Sequence, residues 1–381
     1  MDVLLGGDLD GAPGGLGWKD VDTSVFDKFL AAAIKAGASD IHMKCDAQPS
    51  LRVHGVLKEV KLEAIDEASM NRLVIYILER NGLTEVASNI KRLREYDTSY
   101  EIRGVGRFRV NILKSKGKYG LVLRIIPQKV PTLDELKMPA VIKQLSHQER
   151  GCVLVTGVTG SGKSTTLAAM INEVNSTLRK HIVTIEDPIE FLHEDKMSRV
   201  TQREIGADTE SFELALRAAL RQDPDVILVG EMRDRITIDT GLKAAETGHL
   251  VFSTVHTTDA PKTIGRILDV FPGDEQKPLR IRLAENLKGT VSQRLLRTAD
   301  GKSRVVAMEV MVVTMTVAEL IKDESRTHEM HEYMEKGRQH YGSQTFDQHL
   351  IELYQAGTIT FETAKAAASN PSDFERALYV S

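Results

Sequence analysis

One short stretch of the chain has the composition and spacing of a phosphate-binding loop. Residues 155–166 read VTGVTGSGKSTT, and Gly157–Ser164 fit the pattern G-x-x-x-x-G-K-[ST]. Glycine is poor in both helices and strands, so its repetition indicates backbone that a ligand approaches more closely than a Cβ atom would allow. Backbone N–H groups of residues 159–163 are expected to surround a β-phosphate, and the start of a following helix adds positive potential. The stretch therefore predicts a nucleoside triphosphate site.

The residues around this loop fit the same prediction. The apolar run Cys152–Val155 predicts a buried strand before the loop, and residues 165–174 predict a helix after it. Lys163 is expected to place a mobile positive charge between the β- and γ-phosphates, and the Ser164 hydroxyl to bind Mg²⁺. The predicted nucleotide-binding residues are Gly157, Thr159, Gly160, Ser161, Gly162, Lys163, Ser164 and Thr165.

Two further groups of carboxylates follow predicted strands. Ligands of parallel sheets lie at the carboxyl ends of the strands, so polar residues at these points are candidates for chemistry. The run HIVTI is followed by EDPIE, in which one carboxylate is expected to orient a water and the others to bind or steer the metal; the alternative is a solvated acidic loop. The run VILV is followed by Gly230 and Glu231, which suggests that Glu231 coordinates Mg²⁺ or activates water.

Groups that carry or can carry positive charge complete the predicted site. His256 follows the run LVFSTV, where an imidazole can sense a γ-phosphate. Arg233 is the nearest arginine to a strand end here and is expected to pair with a local acid. Arg107 and Arg109 share one face of an earlier strand by the period of two, with Arg124 on the next strand. These arginines form either a solvated basic face or a set that reaches a nucleotide across a subunit boundary, as arginine fingers do.

The pattern along the chain predicts two structural domains. The 381 residues are enough for two or three domains. Helices at residues 24–36 and 67–79, with short alternating strands between glycine turns, predict an N-terminal α+β domain. From about residue 134, near-continuous apolar strands alternate with helices, which predicts a covered, mostly parallel α/β sheet. The expected divisions are a mobile tail 1–21, an N-terminal domain 22–126, a linker 127–133, a nucleotide-binding domain 134–315 and a helical region 316–381.

Composition argues against several classes of protein. The net charge of −4 and the lack of a basic stripe with aromatic residues speak against a nucleic-acid partner. Only Cys45 and Cys152 are present, so neither a disulfide framework nor a four-cysteine zinc site is expected. No apolar run approaches the roughly 18 residues of a membrane span, and the acidic N-terminus is unlike a signal peptide. We therefore expect a cytoplasmic protein.

Together these motifs resemble the four boxes of the type II/IV secretion ATPases. VTGVTGSGKSTT, IVTIEDPIEF, LRQDPDVILVGEMRD and TGHLVFSTVHTTDA correspond to Walker A, the Asp box, Walker B and the His box. AGASDIH, RFRVN and RILDVFP are most similar to the PilT/PilU-type twitching-motility ATPases, which power type IV pilus retraction. The resemblance covers nearly the whole chain, from about Phe26 to the C-terminal helices.

The resemblance implies a mechanism and an assembly. It implies a cytoplasmic homo-hexamer with a PAS-like N-terminal domain and a RecA-like ATPase domain, which hydrolyses Mg-ATP and drives an inner-membrane pilus platform protein, with a paralogous retraction ATPase as a further possible partner. It implies that Glu190 is the general base, that Glu231 helps to hold the metal and that His256 contacts the γ-phosphate. Arg109 and Arg124 match arginines that neutralise the phosphates. The division of labour between Glu190 and Glu231 is left open.

One departure from the pattern bears on the biological role. Retraction motors of this branch usually carry a segment like AIRNLIREGK, and the matching residues 317–330 read VAELIKDESRTHEM. This difference leaves open an accessory retraction ATPase that acts with a primary motor, or a ring subunit that mainly regulates one. A pilus-extension or secretion ATPase is a further alternative, but those usually carry the four-cysteine zinc site that two cysteines cannot form.

Overall fold

The computed structural model describes residues 23–53, 55–127 and 129–380 and divides the chain into two compact units. One unit runs up to Lys129 and also contains Glu190–Leu192; the other comprises residues 130–189 and 193–381. The predicted tail, residues 1–21 with Trp18, lies outside the described residues. The domain boundaries derived from the sequence stay a prediction.

The first unit is an antiparallel sheet with helices. Its elements are α1 (Thr23–Lys35), β1 (Ala38–Lys44), β2 (Ser50–Val53), β3 (Val56–Glu59), α2 (Glu67–Arg80), α3 (Thr84–Ser88), a 3₁₀ turn (Ile90–Arg92), β4 (Glu95–Ile102), β5 (Gly106–Ser115) and β6 (Lys118–Ile126).

One face of this sheet and the apolar sides of α1 and α2 form the core of the first unit. The strand order is β3-β2-β1-β6-β5-β4. Alternate residues of β5, such as Phe108 and Val110, are buried with Phe26 of α1 and Leu73 of α2. The side chain of Asp66 caps α2 by accepting a hydrogen bond from the amide of Ser69 (2.7 Å), as an acidic N-cap should. The predicted amphipathic helices and alternating strands are confirmed.

The other face of the sheet carries a row of charged residues. In the strand register, Asp40 of β1 lies opposite Arg124 of β6, Arg124 opposite Arg109 of β5, and Arg109 opposite Ser99 of β4. Residues directly opposite in adjacent strands point to the same face, so this row places Arg109 and Arg124 side by side. Arg107 lies two residues from Arg109 on the same face, as its spacing predicts.

The second unit is a parallel sheet with helices and a helical C-terminal part. Its elements are α4 (Ala140–Ser146), β7 (Gly151–Thr156), α5 (Lys163–Thr177), β8 (His181–Glu186), β9 (Arg199–Glu204), α6 (Phe212–Ala219), β10 (Val226–Val229), α7 (Arg235–Glu246), β11 (Leu250–Val255), α8 (Ala260–Asp269), α9 (Gly273–Asn286), β12 (Leu287–Arg297), β13 (Arg304–Val312), α10 (Met315–Lys322), a 3₁₀ segment (Glu324–Glu329), α11 (Met330–Lys336), α12 (Arg338–Tyr341), α13 (Phe346–Gln355), α14 (Phe361–Ala367) and α15 (Pro371–Val380).

The strands of the second unit are covered on both faces. Their order is β13-β12-β7-β11-β10-β8-β9, and every neighbouring pair is parallel except β12 with β13. Within β7, Cys152 and Leu154 belong to one buried cluster, and Val153 and Val155 to another. This two-sided burial is why the strands read as continuous apolar runs. The predicted fold class, an N-terminal α+β part followed by an α/β nucleotide-binding part with C-terminal helices, is confirmed.

In the described parts of the chain, no helix combines the length and the apolar character that a membrane crossing requires.

A buried glutamate lies in the second unit beside the start of α8. Glu309 of β13 is 2 % exposed, and its carboxylate accepts a hydrogen bond from the backbone amide of Ala260 at 2.9 Å. Burial, with a smaller contribution from the Asp259 carboxylate, raises the pKa of Glu309 to about 7, although the amide of Ala260 and Arg294 favour the charged form. A carboxylate with this pKa costs stability at neutral and alkaline pH.

We expect the change Glu309→Gln to alter the pH dependence of stability. The pKa of Glu309 is higher in the folded protein, about 7, than its ordinary value of 4.5, so the stabilising contribution of the protonated form is lost as pH rises through 7. Glutamine keeps the acceptor for Ala260 and never ionises. The free energy of unfolding of the variant relative to wild type should rise by about 2 to 3 kcal/mol between pH 5 and pH 8. Urea unfolding at the two pH values measures this.

The exposed Glu210 provides the control for this experiment. The variant Glu210→Gln should show the same pH dependence as wild type. A Glu309→Gln variant whose stability follows wild type at both pH values would contradict the assigned burial cost.

Candidate functional site

The glycine-rich loop joins β7 to α5, as its sequence predicts. Its first and last glycines have φ values of 146° and 91°, in the region that side chains other than glycine rarely adopt. A Cβ atom on Gly157 would lie 2.6 Å from the backbone oxygen of Gln293 and closer still to the Ser161 hydroxyl. Gly157 is therefore required by close packing as well as by its backbone angle.

Two polar side chains of the loop, those of Lys163 and Ser161, are buried. The Lys163 ammonium, 8 % exposed, donates to the backbone oxygens of Gly157 (2.9 Å) and Val158 (3.1 Å). The hydroxyl oxygen of Ser161 is buried and has no hydrogen-bond partner within the described chain. Buried polar atoms are nearly always paired, so an orphan hydroxyl in a glycine-rich loop before a helix fits a site completed by a ligand. Phosphate oxygens are the partners that this loop geometry favours.

The next strands bring His256 and Glu231 to the same edge of the sheet. Val255 at the end of β11 lies opposite Thr156 at the end of β7, so His256 lies beside Gly157. The His256 Nε2 atom is 3.3 Å from a carboxylate oxygen of Glu231, which follows β10. The carboxylate of Glu231 also pairs with Arg233, as predicted, and this bond raises the pKa of Arg233. His256 and Glu231 thus lie together at the edge of the sheet from which the loop leaves β7, and their role in one nucleotide site stays a prediction.

The acidic residue after β10 stands one position later than is usual for a Walker B motif, with Gly230 before it. The usual Walker B acid directly follows the apolar run, but here glycine occupies that position and Glu231 comes next. A Cβ atom on Gly230 would lie 3.2 Å from the backbone oxygen of Ile185, and the backbone oxygen of Gly230 accepts a hydrogen bond from the Thr254 hydroxyl (2.7 Å). The close approach to β8 leaves no ready space for a side chain, so the acid is displaced by one residue.

The carboxylates of the segment EDPIE, at the end of β8, have different surroundings. Glu186 accepts hydrogen bonds from the Thr184 hydroxyl (2.7 Å) and the Gln202 amide (3.1 Å), which ties its carboxylate to the sheet. The backbone amide of Ile189 donates to Glu204 at 3.0 Å. Glu190 is exposed and belongs to the first compact unit. Of the segment's carboxylates, Glu186 has a structural role within the sheet.

Arg109 and Arg124 belong to the first unit. The Arg124 guanidinium donates through Nε to the Asp40 carboxylate at 3.0 Å while about two thirds of its side chain stays exposed. Burial alone would raise the pKa of Asp40, but the hydrogen bond and charge of Arg124 hold it below its ordinary value. Arg124 is therefore held in place by Asp40 and largely exposed, while Arg109 beside it is half-buried.

A cavity of about 300 Å³ opens beside the loop. Gly162 and Thr165 line it at the loop, and segments before α4 and from β12 and β13 contribute both apolar and polar side chains. The apolar lining residues are Leu136, Met138, Leu295, Val305 and Val306, and the polar ones include Glu135 and Arg304. A cavity of this size is large enough to hold part of a small molecule.

Comparison with known proteins identifies the family. The sequence profile of the family described as "Type II/IV secretion system protein" matches residues 19–373. The chain belongs to this family.

Relatives and solved structures of this family agree with the assignment. The chain is 45 % identical over 347 residues to the "Type IV pilus retractation ATPase PilT" of Pseudomonas aeruginosa, covering 91 % of this chain and 99 % of the relative. It is 40 % identical over 348 residues to the "Type IV pilus ATPase PilU" of the same organism, covering 91 % and 90 %. The crystal structure of the pilus retraction motor PilT with bound ADP superposes with a TM-score of 0.83 at 42 % identity, covering 92 % and 98 %.

Some residues beside the phosphate loop lie outside the family motifs. The buried Gln293 of β12 contacts the phosphate loop, and Ser292 before it accepts a hydrogen bond from the Thr156 hydroxyl at 3.0 Å. Both lie far from the loop in the chain. The available signal is weak: Ser292 and Gln293 are followed by Arg294 in a strand that also contains other polar residues, so they do not stand out. Sequence reasoning also missed the cavity walls, which come from three separate segments.

Proposed function

We propose that this chain is the subunit of a Mg-ATP-hydrolysing motor that powers type IV pilus retraction. The observation that carries the proposal is the shared edge of β7, β10 and β11, where the phosphate loop, Glu231 and His256 meet. The near full-length similarity to the pilus retraction ATPase of Pseudomonas aeruginosa supports the biological role. ADP bound to a relative supports a nucleotide as the ligand.

In this proposal the loop binds the phosphates, and the cavity holds the ribose and base. Backbone N–H groups of residues 159–163 and the start of α5 bind the β- and γ-phosphates, and Lys163 moves from the loop carbonyls to the phosphates. Thr165, which lines the cavity, meets the α-phosphate, and the ribose and base extend into the cavity near Leu136 and Val306. This direction makes one continuous site from the loop to the cavity.

The residues present fit a magnesium ion held mainly by the nucleotide. Ser164 and Glu231 would supply a hydroxyl and a carboxylate oxygen, which are ligands that Mg²⁺ accepts. Among the described residues no cluster of three or more His, Cys, Asp or Glu could form a metal site by itself, which matches an ion that also takes phosphate oxygens and waters. When bound, the ion neutralises charge on the phosphate oxygens.

The protein side chains then act on the water and on the charge that develops. Glu190 is the proposed general base, since its exposed carboxylate can accept a proton from the attacking water. His256 donates to the γ-phosphate through the imidazole that the Glu231 carboxylate orients. Arg109 and Arg124 stabilise the negative charge of the transition state. Phosphoryl transfer needs this positioning and charge compensation more than covalent chemistry.

We further propose the assembly and place of this motor. Six copies form a ring on the cytoplasmic side of the inner membrane, where it acts on the pilus platform protein and can work beside a paralogous ATPase. Pseudomonas aeruginosa has two relatives of this chain, the type IV pilus ATPases PilT and PilU. Sedimentation of the purified chain with ATP tests the ring, and a monomer at all concentrations would contradict it.

An accessory motor is the second candidate. The segment 317–330 lacks the Arg-Glu-Gly-Lys part that the resemblance leads one to expect, and the similarity to PilU is nearly as extensive as that to PilT. In the structure this segment comprises most of α10 and the following 3₁₀ segment. Its surface residues therefore differ from those of the segment that it replaces.

We expect Lys163→Ala and Glu190→Ala to abolish ATP hydrolysis. The first removes the charge that binds the phosphates, and the second removes the base, for a loss on the order of 10²- to 10⁴-fold in kcat. Steady-state phosphate release measures this, with circular dichroism to confirm the fold. Glu194→Ala, an exposed glutamate four residues after Glu190, is the control and should keep wild-type turnover. Wild-type-like turnover in either site variant would contradict the site assignment.

We expect Arg109→Ala and Arg124→Ala to lower kcat by on the order of 10³-fold with a much smaller effect on nucleotide affinity, because they act on charge that develops in the transition state. Arg52 is a matched control, because it lies opposite Asp40 on the same sheet face. Arg52→Ala should keep turnover within about twofold of wild type, as surface substitutions usually have small effects. Equal losses in all three variants would show a general effect of removing positive charge from this face.

Imaging of single fluorescent pili tests the biological role. A strain that carries only the Lys163→Ala allele should extend pili and show no shortening events if the chain is the primary retraction motor. Shortening that continues with reduced pulling force would identify the accessory motor. Loss of pilus extension itself would contradict both and favour the extension alternative.

A further inference from the structure

Gln293 of β12 lies against the phosphate loop, in a position that the established motifs do not assign. In the parallel register, Ser292 lies opposite Thr156, so Gln293 comes beside Gly157. Its side chain is 2 % exposed. A buried amide must satisfy its hydrogen bonds within the protein, and the groups that satisfy it show what it holds in place.

Both ends of the Gln293 amide are bonded to the loop and its helix. Nε2 donates to the backbone oxygen of Ser161 at 2.6 Å, and Oε1 accepts from the Thr166 hydroxyl at 2.9 Å. Because a carbonyl oxygen can only accept, this arrangement also sets which end of the amide faces the loop. The single side chain therefore links the loop to the first turn of α5.

The loop packs against Gln293 at both of its terminal glycines. A Cβ atom on Gly157 would lie 2.6 Å from the Gln293 backbone oxygen, and a Cβ atom on Gly162 would lie 3.2 Å from Nε2. Gln293 is thus in contact with the beginning, the end and one internal carbonyl of the loop. Among the described side-chain hydrogen bonds between β12 and residues 157–166, both involve Gln293. The neighbouring Ser292 bonds to Thr156, which precedes the loop.

The Gln293 bonds affect the direction in which the N–H groups of the loop point. The N–H groups can face a phosphate only if the intervening carbonyl groups turn away from it. The Gln293 amide binds the Ser161 carbonyl in the buried interior, just as the Lys163 ammonium binds those of Gly157 and Val158. A loop held in its binding form beforehand loses less conformational entropy when the ligand binds.

We propose that Gln293 is a positioning residue that holds the phosphate loop in its nucleotide-binding form before the nucleotide arrives. The proposal rests on the nucleotide site described under the proposed function. Gln293 acts through Ser161 and Thr166 and takes no part in the chemical step, so its loss should weaken nucleotide binding and leave kcat nearly unchanged.

The change Gln293→Met tests this, because methionine has similar volume and no hydrogen-bonding amide. The dissociation constant of fluorescent ADP should rise about tenfold, which corresponds to the loss of roughly 1.4 kcal/mol of binding free energy. The KM for ATP should rise by a similar factor and kcat should stay within about threefold. ADP binding needs no turnover, so it reports on the loop alone.

Gln344 offers a matched control. It is also 2 % exposed, and its amide donates to the backbone oxygen of Met308 at 2.9 Å, the residue directly opposite Gln293 in the β12–β13 ladder. Gln344→Met therefore loses a buried amide beside the same strand pair without touching the loop. It should leave the ADP dissociation constant within about twofold of wild type. An equal rise in both variants would overturn the proposal and show general loosening of the sheet.

A second variant keeps the test valid if Gln293→Met does not fold. Thr166→Val removes the hydroxyl that donates to Oε1 and should raise the dissociation constant for ADP about threefold. In Gln293→Met the same change should add almost nothing, because the bond is already lost. Unchanged ADP affinity in Gln293→Met, or in Thr166→Val where that is the folded variant, overturns the proposal. Failure of wild type to bind any nucleotide would instead contradict the proposed function.

Discussion

The site depends on the close approach of two backbone segments, the phosphate loop and β12. Gly157 lies where its φ of 146° and the nearby Gln293 oxygen exclude any side chain. This contact exists only because β12 runs parallel to β7 and in register with it through Ser292 and Thr156. A shift of register by one residue would turn Gln293 to the opposite face of the sheet and remove its bonds to the loop. The nucleotide-binding form of the loop is therefore a property of the sheet as well as of the glycine-rich motif.

The parallel order of the remaining strands brings the charged groups to the same edge. Glu231 and His256 are separated by many residues in the chain, but β10 and β11 are parallel neighbours, and the His256 Nε2 atom lies 3.3 Å from the Glu231 carboxylate. The site's charges are paired within the described chain: Lys163 with loop carbonyls, and Glu231 with Arg233 and His256. A nucleotide with its metal would exchange these pairings for phosphate and magnesium contacts. Such an exchange couples binding to movement of side chains on several strands, which suits an enzyme that converts hydrolysis into mechanical work.

The candidate residues are divided between the two compact units. The phosphate loop belongs to the second unit, while Glu190, Arg109 and Arg124 belong to the first. The arginines lie opposite each other in adjacent antiparallel strands, and Asp40 fixes one of them by a hydrogen bond. Like charges in such positions repel each other unless an anion or a carboxylate lies nearby. The row is therefore suited to receive further negative charge, such as that of phosphate oxygens.

The local features of this protein can be predicted from its sequence. The spacing of glycine, lysine and serine predicted the loop between β7 and α5, and the apolar runs predicted strands covered on both faces, because these properties depend on residues close together in the chain. The residues after each strand, including Glu231 and His256, were found by the same local reasoning. The contacts of Gln293 with the loop, of Ser292 with Thr156, of Glu186 with Gln202 and of Glu309 with the start of α8 are visible only in the folded chain. Each joins a strand residue to a group on another element, and its partner is set by strand order and register, which no local pattern in one chain specifies.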